Sequence, residues 1–95
     1  MTDSLFHFRL YVTGDAPNSV RASANLAELC RRHLPDRHHI EVVDLTREPQ
    51  RALSDRVLLT PTLIMLQPGP ERRIVGSLSD WAPLLATLGL TSTRA

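Results

Sequence analysis

The sequence predicts an α/β domain with a mixed four-stranded sheet and three helices in the order βαβαββα. Three observations carry that expectation. Residues 6–12, FHFRLYV, alternate apolar and polar side chains with the period of a half-buried strand. Residues 39–45, HIEVVDL, are rich in β-branched side chains and follow a stretch long enough for a helical crossover, so the first two strands are expected to run parallel. Residues 58–66 and 72–76 flank Pro68, Gly69 and Pro70, the composition of an antiparallel hairpin.

In the first strand Phe6, Phe8, Leu10 and Val12 form the apolar row and His7, Arg9 and Tyr11 the opposite one. Residues 13–17 have turn chemistry. Asn18 or Ser19 is placed to cap the first helix, whose buried stripe is expected to use Val20, Ala24, Ala27, Cys30 and Leu34 before Pro35 and Asp36 end it. After the second strand, Thr46 followed by Arg47, Glu48 and Pro49 opens a short helix to about residue 55, with the proline near the first turn, where a missing N–H costs nothing. Ser79 or Asp80 caps the last helix, in which Trp81, Leu84, Leu85 and Leu88 keep the spacing of one apolar face and Pro83 lies in the first turn. Gly89 ends that helix, and residues 91–95 are expected to be a frayed tail. One domain spans 1–95.

A chain of 95 residues supports one core and one cooperative unit. Hydrophobic residues at 42% and charged residues at 22% fit a soluble globular protein, and no run approaches the roughly 18 apolar residues of a membrane span. The opening MTDSLFHFRL lacks the basic-then-apolar layout of a secretory signal, and the single Cys30 has no internal disulfide partner, so a cytoplasmic, reducing location is expected. A net charge of +1 argues against a nucleic-acid partner. All eleven basic residues are arginine, whose planar forks suit carboxylate or phosphate partners, although a coding bias explains the same count.

The element order resembles that of the thioredoxin superfamily, and residues 14–22, GDAPNSVRA, stand where such a domain carries its redox dithiol. No cysteine is among them. Cys30 comes about three turns too late to serve as the nucleophile, so a binding module is expected in place of a redox enzyme. Pro61, in the pair Thr60-Pro61 that opens the third strand, is a candidate cis-proline acting as a shape device. Gly14, Asn18 and Ser19 suit a helix cap better than an anion site. His33, His38 and His39 lack metal-ligand spacing and are expected in a solvated loop; Asp44 and Asp55 have surface or capping roles. Neither catalytic residues nor a cofactor is expected.

The stretches RLYVTGDAPNSVRA, EVVDLTREPQ, LLTPTL and PGPERRIVGSLSD together resemble the KaiB family of small circadian-clock adaptors across nearly the whole chain. The resemblance implies a non-enzymatic protein that binds the RecA-like ATPase ring of KaiC. It also implies dealings with a second protein, KaiA, or competition with a sensor histidine kinase that has a related domain. It implies a choice between a tetrameric ground fold and a monomeric thioredoxin-like fold, the second being the one that binds KaiC. Pro83 and the helical spacing from Trp81 to Leu88 favour the monomeric, thioredoxin-like arrangement here. The partner-binding residues carried over are Arg21, Arg56, Arg72 and Arg73. Glu41 stands on the second strand where relatives with a KaiA partner tend to carry a basic residue, which disfavours KaiA. A free-standing relative of the kinase domain, acting in stress signalling, is the alternative.

Overall fold

A computed structural model describes residues 5–90 and shows the order expected. The elements are β1 (Phe6–Val12), α1 (Pro17–His33), β2 (His38–Asp44), α2 (Gln50–Ser54), β3 (Thr62–Gln67), β4 (Arg72–Val75) and α3 (Trp81–Leu88). The sheet order is β2-β1-β3-β4, with β1 parallel to β2 from the pair Phe6 and His38 to the pair Val12 and Asp44, and with β3 antiparallel to both β1 and β4. The thioredoxin-like arrangement is thus the one adopted. The frayed tail expected at 91–95 lies outside the described residues.

Two cores form because the sheet is covered on both faces. On one face Phe6, Phe8, Leu10, Val12, Leu63 and Met65 meet α1 and α3 through Ala22, Leu26, Leu29, Cys30, Leu84 and Leu88. On the other, Tyr11, Val43, Val57 and Ile64 form a smaller cluster at the end of the sheet where α2 lies. The expected polar row of β1 therefore needs correcting: Tyr11 is fully buried, and β1 is a central strand whose second face is covered where it meets the α2 segment.

The stripe assigned to α1 is also corrected. Val20 is exposed, Ala24 and Ala27 face solvent, and the buried positions are Ser19, Ala22, Leu26, Leu29 and Cys30, followed by Leu34. Pro17 at the first helical position starts the helix earlier than a cap at Asn18 or Ser19 allows, and the packed face follows the larger apolar side chains Leu26 and Leu29 at the helical spacing from Ser19 and Ala22. Ala16 holds the cap position without a side-chain bond. Asn18 instead accepts from the Arg21 guanidinium at 3.2 Å, and the buried Ser19 hydroxyl accepts the Thr13 N–H at 3.0 Å, tying the loop after β1 to the helix.

The strand β3 begins at Thr62, directly after the Thr60-Pro61 pair expected to open it; Leu58 and Leu59, the start of the apolar run 58–66, precede the strand and are exposed. At α3 the capping expectation is half met: Asp80 holds the cap position but makes no side-chain cap bond, and Ser79 pairs with Ser77 at 2.9 Å. Gly89, at φ 76°, closes α3 with Leu90 N–H donating to Leu85 O at 2.8 Å, a left-handed cap that glycine adopts without steric cost. Among the described residues no helix is long and apolar enough to cross a membrane.

Candidate partner-binding surface

The helix α2 has five residues and buries none of them. Polar groups hold it instead. Arg9 Nε donates to Glu41 Oε1 at 2.8 Å, Arg51 Nη2 lies 3.8 Å from Glu41 Oε2, Arg51 Nε donates to Asp55 Oδ2 at 3.1 Å, and Arg9 Nη1 lies 4.0 Å from Asp55 Oδ2. Charges of alternating sign thus close a ring that joins β1, β2 and the end of α2. The Tyr11 hydroxyl sits within it, donating to Asp55 Oδ2. The Tyr11 hydroxyl, then the Arg51 guanidinium, hold the Asp55 carboxyl below the usual carboxylate range; Arg9 does the same for Glu41. Burial, then the bond to Asp55, pushes the Tyr11 phenol up.

Beyond α2 the chain turns through Arg56 at φ 57°, a left-handed conformation uncommon for a side chain of this size. The turn presents apolar groups outward. Leu53 is 85% exposed, Leu58 94% and Leu59 63%, and Val75 on the outer strand β4 is 56% exposed. Arg56, Val57, Leu58, Leu59, Thr62, Arg73 and Val75 line a shallow cleft of about 220 Å³. Single exposed leucines are ordinary, but Leu58, Leu59 and Val75 gathered at one cleft make it a candidate contact surface.

The arginines singled out in the sequence do not share one surface. Arg56 and Arg73 meet at this cleft: Arg73 Nη1 donates to Arg56 O at 2.9 Å and Nη2 to Asp55 O at 2.7 Å, so its fork closes the C-terminal end of α2 while Nε reaches Glu71 Oε2 at 3.3 Å. Arg72 pairs in register with Met65 and so belongs to the face covered by α1 and α3. Arg21 is exposed on α1 and bonded to Asn18. The Thr60-Pro61 peptide is cis, Pro61 O accepts the Gly76 N–H at 3.0 Å, and the Thr60 hydroxyl lies 2.6 Å from that of Thr13. No thiol is near that hydroxyl pair. Cys30 is buried in the main core, and burial pushes its thiol up to about 12.

The remaining candidates have structural partners. Asp44 Oδ1 accepts from the Thr46 hydroxyl at 2.7 Å, the Thr46 N–H at 2.9 Å and the Gly14 N–H at 3.0 Å, which hold its carboxyl low and pin the two loops above β1 and β2 together. The loop placement expected for the histidines is corrected, because His33 ends α1 and His38 and His39 open β2, while His33 and His39 remain exposed to solvent as expected. His33 packs edge-on to Trp81, His38 Nδ1–H donates to Leu34 O at 2.7 Å, and His39 packs edge-on to His7. Among the described residues no group of three or more His, Cys, Asp or Glu could hold a metal. Sequence reasoning missed the ring around Tyr11, whose members are far apart in the chain; Tyr11 alternating with Arg9 on a strand flanked by apolar strands was the one available signal.

The profile of the KaiB domain matches residues 9–90. The chain is 38% identical over 82 residues to the circadian clock protein KaiB3 of Synechocystis, covering 86% of this chain and 80% of that protein. It is 42% identical, over the same share, to the circadian clock oscillator protein KaiB of Trichodesmium erythraeum, with 79% of that protein covered. Among solved structures, the N-terminal domain of Synechococcus elongatus SasA superposes with a TM-score of 0.73 at 18% identity, covering 100% of this chain and 93% of that one. Fasciola hepatica thioredoxin superposes at 0.71 with 12% identity, covering 94% and 84%, a likeness of fold alone. A match to the KaiB domain over residues 9–90, relatives near 40% identity and a thioredoxin-like sheet without a dithiol lead to one conclusion: the chain belongs to the KaiB family of circadian clock proteins.

Proposed function

We propose that this protein is a non-enzymatic cytoplasmic adaptor that binds, as a monomer, the ATPase ring of a KaiC-type protein. The observation that carries the reading is the exposed apolar group Leu58, Leu59 and Val75 set with Arg56 around one cleft, with the exposed Leu53 one turn before it on α2. Leucines beside an arginine suit a partner surface with an apolar floor and a carboxylate at its rim, since a desolvated arginine fork is among the stronger contacts an interface makes. The thioredoxin-like arrangement supports the same reading, because it is the arrangement that KaiB resemblance associates with ring binding. Of the four arginines, Arg56 is the partner contact, Arg73 supports it from behind, and Arg21 and Arg72 serve other faces. Glu41, already bonded by Arg9 and Arg51 on the outer strand β2, supports the exclusion of KaiA.

The test is size-exclusion chromatography with light scattering, on the protein alone and mixed with the KaiC-type ATPase of its own genome and ATP. The native protein is expected to run as a monomer and to join the ATPase peak without prior incubation. Arg56→Glu and Leu59→Asp are each expected to weaken binding at least about tenfold, the scale of a central contact. Unchanged binding by both variants refutes the surface assignment; failure of the native protein to join refutes the adaptor reading and moves the partner to a sensor kinase.

A further inference from the structure

A helix of five residues with nothing buried has no ordinary reason to stay in place. Isolated helices shorter than about 12 residues are marginal in water, and most helical stability in proteins comes from packing an apolar face. At α2 both sources are missing. The groups that reach it are polar, and they come from the sheet: Tyr11 and Arg9 on β1, Glu41 on β2 and Arg73 on β4. Tyr11 lies on the central strand β1, its ring fully buried between Val43, Val57 and Ile64, and only its hydroxyl projects to Asp55. Arg51, one helical turn before Asp55, ties the same helix to Glu41 on β2 and to Glu48 at 3.3 Å. A phenylalanine fills the volume of a tyrosine ring equally well. The hydroxyl is therefore what this position adds.

We propose that Tyr11, acting through Asp55 and Arg51, is a positioning residue: it fixes α2 to the sheet so that Leu53, Arg56 and Leu58 are held in the one arrangement a partner reads. The inference rests on the reading of that end as the docking surface. It differs from a plain stability role in a checkable way. Loss of the hydroxyl leaves Asp55 still bonded to Arg51 at 3.1 Å and leaves the apolar cluster intact, so the core keeps its packing while α2 loses its hydrogen bond to the buried central strand and keeps only the more exposed links through Arg9, Glu41 and Arg73. Loosening is then local. It falls on the bonds that close the helix end: Asp55 N–H to Arg51 O at 2.9 Å, Arg56 N–H to Leu53 O at 3.2 Å and Val57 N–H to Ala52 O at 2.9 Å.

The experiment is amide hydrogen exchange by NMR on free native and Tyr11→Phe protein, followed by dissociation rates from the ATPase ring. The expected result is exchange about tenfold faster at Asp55, Arg56 and Val57, unchanged exchange at Leu10 and Leu63 in the sheet, and dissociation faster by about threefold or more. Asp55→Asn, which keeps an acceptor for the hydroxyl but weakens the ion pairs, is expected to fall between the two. Unaltered exchange at the helix end overturns the proposal, and so does a uniform acceleration that includes the sheet. Local loosening with unchanged dissociation also overturns it, because the order of α2 is then not what the partner reads. Should the native protein fail to bind the ring, the adaptor reading fails, and the exchange pattern alone decides whether Tyr11 positions the helix.

Discussion

Replacing Arg73 with alanine tests whether this arginine acts inward, on the protein's own backbone, in addition to any contact outward. Its fork donates to the carbonyls of Arg56 and Asp55 at 2.9 and 2.7 Å, the two acceptors left open where α2 ends and the chain turns through a left-handed residue. A hydrogen bond involving a charged group contributes about 1.5–3 kcal/mol when shielded. The Arg73 side chain is 39% exposed, so solvent screening removes a large part, and the 3.3 Å pair with Glu71 adds no more than a few tenths. The two bonds together then amount to about 2 kcal/mol. For a domain of this size that lowers the melting temperature by about 8–16 °C. Urea unfolding followed by circular dichroism measures it, with an unchanged m-value expected because the surface exposed on unfolding stays the same. Arg73→Lys is expected to recover about half, since one ammonium cannot span two carbonyls in fixed fork geometry. A loss below about 0.5 kcal/mol for alanine, the range of ordinary surface changes, refutes the reasoning, as does a lysine variant as stable as the native protein.

Acid stability follows from the ring. Glu41 and Asp55 both titrate below the usual carboxylate range, so the stability they add is fully present above that range and is lost as pH falls through their native values. Unfolding free energy is expected to hold down to about pH 5 and then decline, and to decline less in a Glu41→Gln, Asp55→Asn protein; identical acid profiles contradict the ring. Cys30, buried and with its thiol pushed up to about 12, is expected to resist a thiol reagent at pH 8 until the protein is unfolded, and a disulfide reductase assay is expected to read background; prompt labelling of the native protein refutes this. The packed face of α1 is testable directly. Val20→Ser, at a position 53% exposed, is expected to change stability by less than about 0.5 kcal/mol, whereas Ala22→Leu, at a fully buried one, is expected to cost about 1–3 kcal/mol; the reverse order restores the stripe read from sequence.

Much of the fold was legible because it is written in local patterns. The alternation at Phe6, Phe8, Leu10 and Val12 found β1, the Pro-Gly-Pro turn found the hairpin, and the spacing of Trp81, Leu84, Leu85 and Leu88 found α3. Pro17 misled the reading of α1, because a polar pair just after it looked like the cap while the proline itself began the helix. Thr60-Pro61 marked the opening of β3, but the exposure of Leu58 and Leu59 was not legible, because apolar residues next to a strand look alike whether they face a core or solvent. The site was legible only in part. Arg56 and Arg73 came from family resemblance, and nothing local separates the outward-facing one from the one that bonds two carbonyls. The ring could not be seen at all, since Arg9 and Glu41 stand 32 residues apart and Tyr11 and Asp55 stand 44 apart. Each looks like a surface polar residue until the sheet brings them together.

The absence of buried residues in α2 has a consequence for how such proteins diverge. Two positions, Arg51 and Asp55, carry the anchorage, and they lie one helical turn apart. Gln50, Leu53 and Ser54 face outward between and beside them and owe nothing to the core. A lineage is therefore free to rewrite those outward positions while its sheet, its folding and its anchor stay unaltered. If this end is the docking surface proposed above, partner choice becomes a trait inherited separately from architecture, and grafting the outward residues of one relative onto another is expected to carry the preference with them.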